Sequence, residues 1–164
     1  MSHALTAISA DTKADFYATL HRQLEAVLHG ERDWTANLAQ TSALLMQLLP
    51  GLNWAGFYLL KGGELVLGPF QGKVACVRIA VGQGVCGIAA ARRETVVVPD
   101  VHQFPGHIAC DGASNSEIVV PLLHQGKLLG VLDLDSPKRA RFDADDARGL
   151  ERAVEILLAA SDAA

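Results

Sequence analysis

The spacing of apolar residues changes at Pro50–Gly51, and this change constrains the fold more than any other feature of the sequence. From about residue 11 to 49, apolar side chains recur every three or four positions, which predicts two α-helices. From about residue 52 to 135 the apolar runs are short and separated by turn residues, which predicts β-strands. A helical spacing returns over about residues 143–160. This order predicts a single α+β domain over residues 1–164.

Within the region of predicted strands, two pairs of apolar runs are each separated by a short glycine-containing turn. "NWAGFYLL" and "ELVLGPF" flank "KGGE", and "EIVVPLLH" and "LLGVLDLD" flank "QGK". Such pairs are typical of β-hairpins, so we expect a largely antiparallel sheet. "VACVRIA" and "TVVV" predict two further strands, and "GQGVCGIAAARR" between them predicts a short helix.

Charge and hydropathy exclude several classes of partner. The formal net charge is -4, and the densest basic run, "KRAR" at residues 138–141, fits a solvated turn better than a phosphate-binding surface. We therefore predict no binding to nucleic acid. No apolar run reaches the ~18 residues needed to cross a bilayer, and the N-terminus lacks the pattern of a secretory signal. These features predict no membrane association and a cytoplasmic location, where thiols are kept reduced.

The three cysteines are Cys76, Cys86 and Cys110. No two of them form a C-x-x-C pair, with which a structural zinc site usually starts. An odd number of thiols also cannot form a fully paired disulfide framework. Two interpretations remain open: the cysteines are small buried hydrophobic residues, or they carry redox chemistry.

Cys110 lies in the longest predicted loop, "PDVHQFPGHIACDGASNS", which covers residues 99–116. Loops of this length in compact domains are usually functional or disordered. A reactive cysteine must be partly exposed and must be able to move close to the group with which it reacts. A loop allows both. His107 precedes Cys110 by three residues, so it either forms a dyad with the thiol or merely orders the loop.

Three acidic residues stand at the ends of apolar strands. Asp133 and Asp135 alternate with leucines in "LGVLDLDSP", so the two-residue period places both carboxylates on one face. They repel each other unless a cation lies between them, although a solvent-facing strand end before a turn is an equally simple explanation. Glu117 opens the apolar run "EIVVPLL". In an apolar pocket its pKa would be raised and it could deliver a proton near neutral pH.

Trp54 and Tyr58 are four residues apart in a predicted strand and therefore share a face. Large aromatic side chains on one face belong either to the core or to the wall of a binding site. Taken together, thiol, acids and aromatic residues describe a pocket for a small zwitterion. Its ammonium group would satisfy the paired aspartates, and its apolar tail would lie on the aromatic rings.

Four stretches closely resemble the free methionine-(R)-sulfoxide reductases, which are GAF-domain enzymes. They are "GPFQGKVACVRIAVGQGVCGIAA", "VPDVHQFPGHIACDGASNSEIVVPL", "LGVLDLDSP" and "FDADD". The resemblance runs from about Trp34 to Leu157, and all three cysteines fall on the family's cysteine positions. It implies a GAF fold, with a central antiparallel sheet of about six strands flanked by helices. It also implies reduction of free L-methionine (R)-sulfoxide rather than of methionine sulfoxide within proteins.

The resemblance also implies the roles of the cysteines. Cys110 matches the nucleophile that attacks the sulfoxide sulfur. Cys76 matches the cysteine that resolves the resulting sulfenic acid, and Cys86 matches an alternative resolving cysteine. Thioredoxin is the implied external reductant of the disulfide. The protein itself is expected to bind no metal or other cofactor, and a homodimer through the N-terminal helices is expected because related GAF domains pair this way.

The remaining matched positions belong to the substrate pocket. The implied substrate-binding residues are Trp54, Tyr58, Glu117, Asp133 and Asp135, and the implied proton donor to the sulfoxide oxygen is Glu117 or Asp135. The sequence departs from the family pattern at Gln83 and Pro99.

Two other functions fit the same residues. The first is a non-catalytic GAF module that binds a small ligand or senses oxidants through its cysteines. The second is a general thiol enzyme that reduces peroxides.

Overall fold

The computed structural model describes residues 4–163, so that residues 1–3 and 164 of the predicted domain lie outside it. Within this part of the chain, six strands form one antiparallel sheet in the order β3-β2-β1-β6-β5-β4. The helices are α1 (Lys13–Leu28), α2 (Trp34–Leu48), α3 (Gly84–Arg92) and α4 (Ala144–Ala160). The strands are β1 (Trp54–Lys61), β2 (Glu64–Gly72), β3 (Arg78–Ala80), β4 (Val96–Val98), β5 (Ser116–His124) and β6 (Lys127–Ser136). The predicted α+β fold is confirmed.

Helices α1, α2 and α4 cover one face of the sheet and form the larger core with it. The buried side of α1 consists of Tyr17, Leu20, Leu24 and Leu28. Phe16 has the same four-residue spacing as Leu20, Leu24 and Leu28 but is only half-buried. Tyr17 takes the buried position instead because its hydroxyl donates a hydrogen bond of 2.7 Å to the buried carboxylate of Asp146 on α4.

The opposite face of the sheet carries α3 and the long loop. Alternation along β6 sends Leu132 and Leu134 into the larger core. The same alternation turns Asp133 and Asp135 towards α3 and the loop. Because the main core lies on the first face, with α1, α2 and α4, polar side chains of the second face can line a cavity without interrupting it.

Both predicted hairpins form, and each turns on two residues with positive φ. Gly62 and Gly63 connect β1 to β2, with φ of 58° and 83°. Gln125 and Gly126 connect β5 to β6, with φ of 51° and 77°. Positive φ at both central positions is the geometry that tight two-residue hairpin turns require.

The strand predicted over "VACVRIA" is shorter than expected, because only Arg78–Ala80 pairs with β2. The preceding segment leaves the sheet, and two side chains of β1 bind its backbone. The Trp54 indole donates a hydrogen bond of 3.1 Å to the carbonyl of Lys73. The Tyr58 hydroxyl donates one of 2.9 Å to the carbonyl of Cys76. These bonds hold the Cys76 segment over the second face of the sheet.

Among residues 4–163, no helix has both the length and the apolar character that crossing a membrane requires.

The contact between α1 and α4 depends on Gly149, and we predict that Gly149→Ala destabilises the protein. An added Cβ would lie 2.3 Å from the ring of Tyr17, which is buried and cannot swing away. Helix propensity alone would make this substitution stabilising by about 1 kcal/mol. We expect the steric effect to prevail and the free energy of unfolding, measured with urea, to fall by about 1–3 kcal/mol.

Gly112→Ala is the matched control, because no atom lies within 4 Å of its added Cβ. Its free energy of unfolding should change by no more than about 0.5 kcal/mol. A Gly149→Ala variant as stable as the wild type would contradict the close packing of α1 on α4.

Candidate active site

A cavity of about 40 Å³ lies between the second face of the sheet, α3 and the long loop. It gathers side chains that are far apart in the sequence. Its lining includes Trp54, Tyr58, Cys86, Cys110, Glu117, Asp133 and Asp135, all of which the sequence suggested as site residues. Cys76 is not part of the lining but is bonded to Cys110.

The pairing of β1, β6 and β5 places the acids side by side. Asp135 on β6 lies opposite Trp54 on β1 and opposite Glu117 on β5. Two residues before Asp135 on β6, Asp133 lies opposite Gly56 on β1. Trp54, Asp135 and Glu117 therefore form one row across the cavity floor. Asp133 lies beside this row.

Burial keeps these carboxyl groups from ionising freely. Glu117 and Asp133 are each only 6% exposed, and Asp135 is half-buried. Burial is the main cause that raises the pKa of all three, and the negative charge of Asp133 raises the pKa of Glu117 and Asp135 further. The site therefore tends to hold protons near neutral pH.

Within residues 4–163, no lysine or arginine forms an ion pair with any of these three acids. The nearest basic group is His107, whose Nε2 lies 3.8 Å from Oε2 of Glu117. Burial, and to a lesser extent the charge of His102, lowers the pKa of His107, so the imidazole tends to be neutral. Asp133 Oδ1 is buried without a hydrogen-bond partner in the described part of the chain. A donor or a cation brought by a ligand would satisfy it.

Cys76 and Cys110 form a disulfide, with an S–S distance of 2.00 Å and Cα atoms 5.6 Å apart. Both cysteines are half-buried, so the bond is accessible to a second molecule. Cys110 belongs to the cavity wall, whereas Cys76 lies on the segment held by Trp54 and Tyr58. The bond therefore connects the cavity to the surface.

Cys86 is the free thiol, and it lies buried on α3. Its Sγ donates a weak hydrogen bond of 3.9 Å to Oε1 of Glu117. Burial raises the pKa of this thiol well above its usual value, and the charges of Asp133 and Glu117 act in the same direction. The thiol is therefore protonated near neutral pH and a poor nucleophile in this state.

Cys86, Glu117 and Asp133 also have the donor types of a metal site, and their ligand atoms lie within 4.8 Å of one another. Buried acids and a protonated thiol equally suit an organic cation. The expectation that the protein needs no metal stays a prediction.

The aromatic wall is larger than the sequence suggested. The Trp54 ring stacks on Tyr58 at 5.9 Å and on Phe70 of β2 at 5.2 Å between ring centroids. Gly56 makes this possible, because a Cβ there would lie 2.3 Å from Cβ of Phe70. A glycine between Trp54 and Phe57 in "WAGF" was the sequence signal for such a close approach.

The loop is held by residues that the sequence did not single out. Asn53 donates hydrogen bonds to Oδ2 of Asp111 at 3.1 Å and to the hydroxyl of Ser114 at 3.0 Å. A hydrogen bond from the backbone N–H of Ala113 is the main cause that lowers the pKa of Asp111. The pKa of Asp111 is thus shifted in the opposite direction from those of the buried acids in the same cavity. The short polar spacing "CDGASN" is a turn signal that could have predicted these anchors.

Comparisons with known proteins show the family of this chain. The model of the GAF domain matches residues 25–161. The free methionine-R-sulfoxide reductase of Escherichia coli is 55% identical over 153 residues, covering 92% of this chain and 93% of that protein. The reductase of the same name from Saccharomyces cerevisiae is 44% identical, covering 88% of this chain and 85% of its own.

A solved structure of free methionine-R-sulfoxide reductase from Neisseria meningitidis, in complex with its substrate, matches with a TM-score of 0.92. It is 48% identical, and the match covers 97% of this chain and 95% of that one. Identity at this level over nearly the whole length shows common descent. The three cysteines and the three acids lie in the stretches that carry the sequence resemblance. The chain therefore belongs to the GAF-domain family of free methionine-R-sulfoxide reductases.

Proposed function

We propose that the protein reduces free L-methionine (R)-sulfoxide to methionine with Cys110 as the nucleophile. The observation that carries this proposal is the meeting of Cys110 with Glu117, Asp133 and Asp135 in one cavity. A sulfoxide reduction needs a thiol to attack sulfur and an acid to protonate oxygen, and the cavity supplies both. Membership of the family supports the same substrate.

The cavity suits each part of a free amino acid. The ammonium group would lie among the acids, where it satisfies Asp133 Oδ1 and favours ionisation of the carboxyl groups. Gly84 opens α3 and lines the cavity, so the positive end of the helix dipole is available to the substrate carboxylate. The apolar part of the side chain would lie on the Trp54 ring.

The chemistry proceeds in two balanced steps. The Cys110 thiolate attacks the sulfoxide sulfur, Glu117 or Asp135 protonates the oxygen, and methionine leaves as Cys110 becomes a sulfenic acid. The thiol of Cys76 then attacks this sulfur, which releases water and forms the disulfide. The sulfoxide gains the two electrons that the two thiols lose. The short distance between Cys76 and Cys110 supports Cys76 as the resolving residue.

Bound substrate would also activate the nucleophile. Neighbouring carboxylates suppress thiolate formation, so Cys110 is a poor nucleophile in an acidic cavity without substrate. An ammonium group among the acids offsets their charge and makes the Cys110 thiol more acidic. Thiolate would thus form when there is a sulfoxide to attack.

The disulfide form represents the enzyme after turnover. A cavity of about 40 Å³ has room for about three water molecules, far less than an amino acid needs. Reduction of the disulfide would release the Cys110 loop and reopen the site. We propose thioredoxin as the reductant and the cytoplasm as the location, where disulfides are usually transient and catalytic. A homodimer stays a prediction.

The direct test of the function uses the separated epimers of free methionine sulfoxide. With dithiothreitol as reductant, we expect the protein to consume the R epimer and to leave the S epimer, measured by chromatography of the amino acids. A parallel assay with hydrogen peroxide tests a general peroxide-reducing enzyme. Consumption of neither epimer would contradict the proposal and favour a ligand-binding or sensing GAF module.

The roles of the thiols are separated by counting the equivalents of methionine that each variant forms with thioredoxin as the reductant. Cys110→Ser should form no methionine, because the attacking sulfur is absent. Cys76→Ser should form one equivalent and then stop, because the sulfenic acid is not resolved. Cys86→Ser should still form the disulfide. If methionine formation stops in Cys86→Ser but continues in Cys76→Ser, the resolving residue is Cys86. If it continues in both variants, the two thiols substitute for each other.

The proton donor is identified by the pH dependence of kcat. A donor acts in its protonated form, so kcat of the wild type should fall as pH rises through the raised pKa of that carboxyl group. Either Glu117→Gln or Asp135→Asn should lower kcat about 100-fold and remove this fall.

Asp111→Asn is the matched control, because it removes a carboxyl group of the same cavity whose pKa is lowered. It should keep the pH profile of the wild type. If neither Glu117→Gln nor Asp135→Asn changes the profile, proton donation comes from another group.

A further inference from the structure

The two segments that carry the disulfide expose large aliphatic side chains to solvent. Val74 is 89% exposed, Val77 is 60% exposed and Ile108 is 37% exposed. Val74 and Val77 flank Cys76, and Ile108 precedes Cys110 by two residues. We call these three residues the disulfide rim. Single exposed aliphatic residues are ordinary, but these three flank one disulfide, and Val74 and Ile108 also line the cavity. The disulfide rim therefore places exposed apolar side chains at the mouth of the site.

The charges around the disulfide rim nearly cancel. Arg78 is paired with Glu64. Lys73 is close enough to Asp111, the residue after Cys110, for its positive charge to contribute to lowering the pKa of that carboxyl group. A partner that fits here would present apolar residues around its reactive atoms and no strong charge of either sign.

The two sulfur atoms differ in what surrounds them. Cys110 lies on the wall of the cavity that Glu117 and Asp135 also line, and burial raises the pKa of both carboxyl groups. Cys76 lies outside the lining, between the two most exposed residues of the rim. A nucleophile from solvent therefore reaches Cys76 across the rim, whereas Cys110 has acids beside it that can protonate a departing thiolate.

We propose that a dithiol protein reductant of the thioredoxin class docks on the disulfide rim and attacks Sγ of Cys76. This inference rests on the proposed function, because it assigns the step that regenerates the enzyme. A thiolate of the reductant forms a bond to Cys76, the Cys76–Cys110 bond breaks, and Cys110 leaves as a thiolate that takes a proton. The second thiol of the reductant then attacks the mixed disulfide and frees Cys76. Two electrons pass from the reductant, which becomes a disulfide.

The size of the rim agrees with such a partner. Redox partners meet only briefly and bury little surface, at the low end of the range for specific complexes. A few exposed aliphatic residues around the reacting sulfur are enough for such an encounter, whereas a permanent partner would need a larger apolar area.

Docking of the reductant on the disulfide rim is tested with the variants Val74→Asp and Val77→Asp. The oxidised proteins are used, and no sulfoxide is present. Reduction of the disulfide by thioredoxin is followed by counting free thiols. Each variant should require at least about fivefold more thioredoxin for half-maximal rate, because a carboxylate replaces apolar contact at the rim. Reduction by dithiothreitol, which needs no docking surface, should stay within about twofold of the wild type.

Leu123→Asp is the matched control, because Leu123 is 39% exposed and lies at the far end of β5. It should react with thioredoxin like the wild type. Equal rates for Val74→Asp, Val77→Asp and wild type would overturn the docking surface, as would an equal loss with dithiothreitol. Because no sulfoxide is present, the result is independent of whether methionine sulfoxide is the substrate.

The attacked sulfur is identified by trapping. A thioredoxin variant that lacks its second cysteine cannot complete the exchange and stays attached as a mixed disulfide. Mass spectrometry of the digested adduct should find thioredoxin on Cys76 and a free thiol at Cys110. An adduct on Cys110 would overturn the assignment.

Discussion

Three carboxyl groups share a cavity in which the described chain provides no lysine or arginine to pair with them, and the rest of the site depends on this. Glu117, Asp133 and Asp135 are held close by strand pairing, so they cannot all ionise while the cavity is empty. Protonation of these carboxyl groups reduces the repulsion between them in the empty cavity. A bound ammonium group favours their ionisation. One acid of the cluster can therefore ionise beside the positive end of an amino acid while another keeps its proton and delivers it to the sulfoxide oxygen.

The fold tolerates this cluster of buried acids because the cluster is separated from the main core. Helices α1, α2 and α4 bury a continuous apolar cluster on one face of the sheet, and the acids lie on the other. Burying carboxyl groups without a cation costs stability even when they are protonated. The larger core supplies most of the hydrophobic stabilisation, and a smaller apolar cluster on the second face, which includes Trp54 and Tyr58, surrounds the acids. The redox-active loop lies on that second face, where its movement does not disturb the helices.

Much of this could be predicted from local pattern. Two-residue alternation correctly placed Asp133 with Asp135 and Trp54 with Tyr58, because side-chain direction along a strand follows from local geometry. The adjacency of β1, β6 and β5 could not be derived this way, since it depends on pairing between distant segments. The late start of β3 was also missed, because the segment around Cys76 is instead held by hydrogen bonds from two aromatic side chains of β1. The resemblance to known reductases supplied the cysteine roles that spacing left open.

The most direct measurement is the number of protons exchanged when substrate binds without reacting. Calorimetric titration of the reduced Cys110→Ser variant with free L-methionine (R)-sulfoxide, repeated in buffers with different ionisation enthalpies, gives this number. If Asp133 ionises beside the ammonium group while the proton donor keeps its proton, binding near neutral pH must release protons, and Asp133→Asn must reduce the release. Binding with no proton exchange would contradict the account, because the charge state of the acids would then not depend on the substrate.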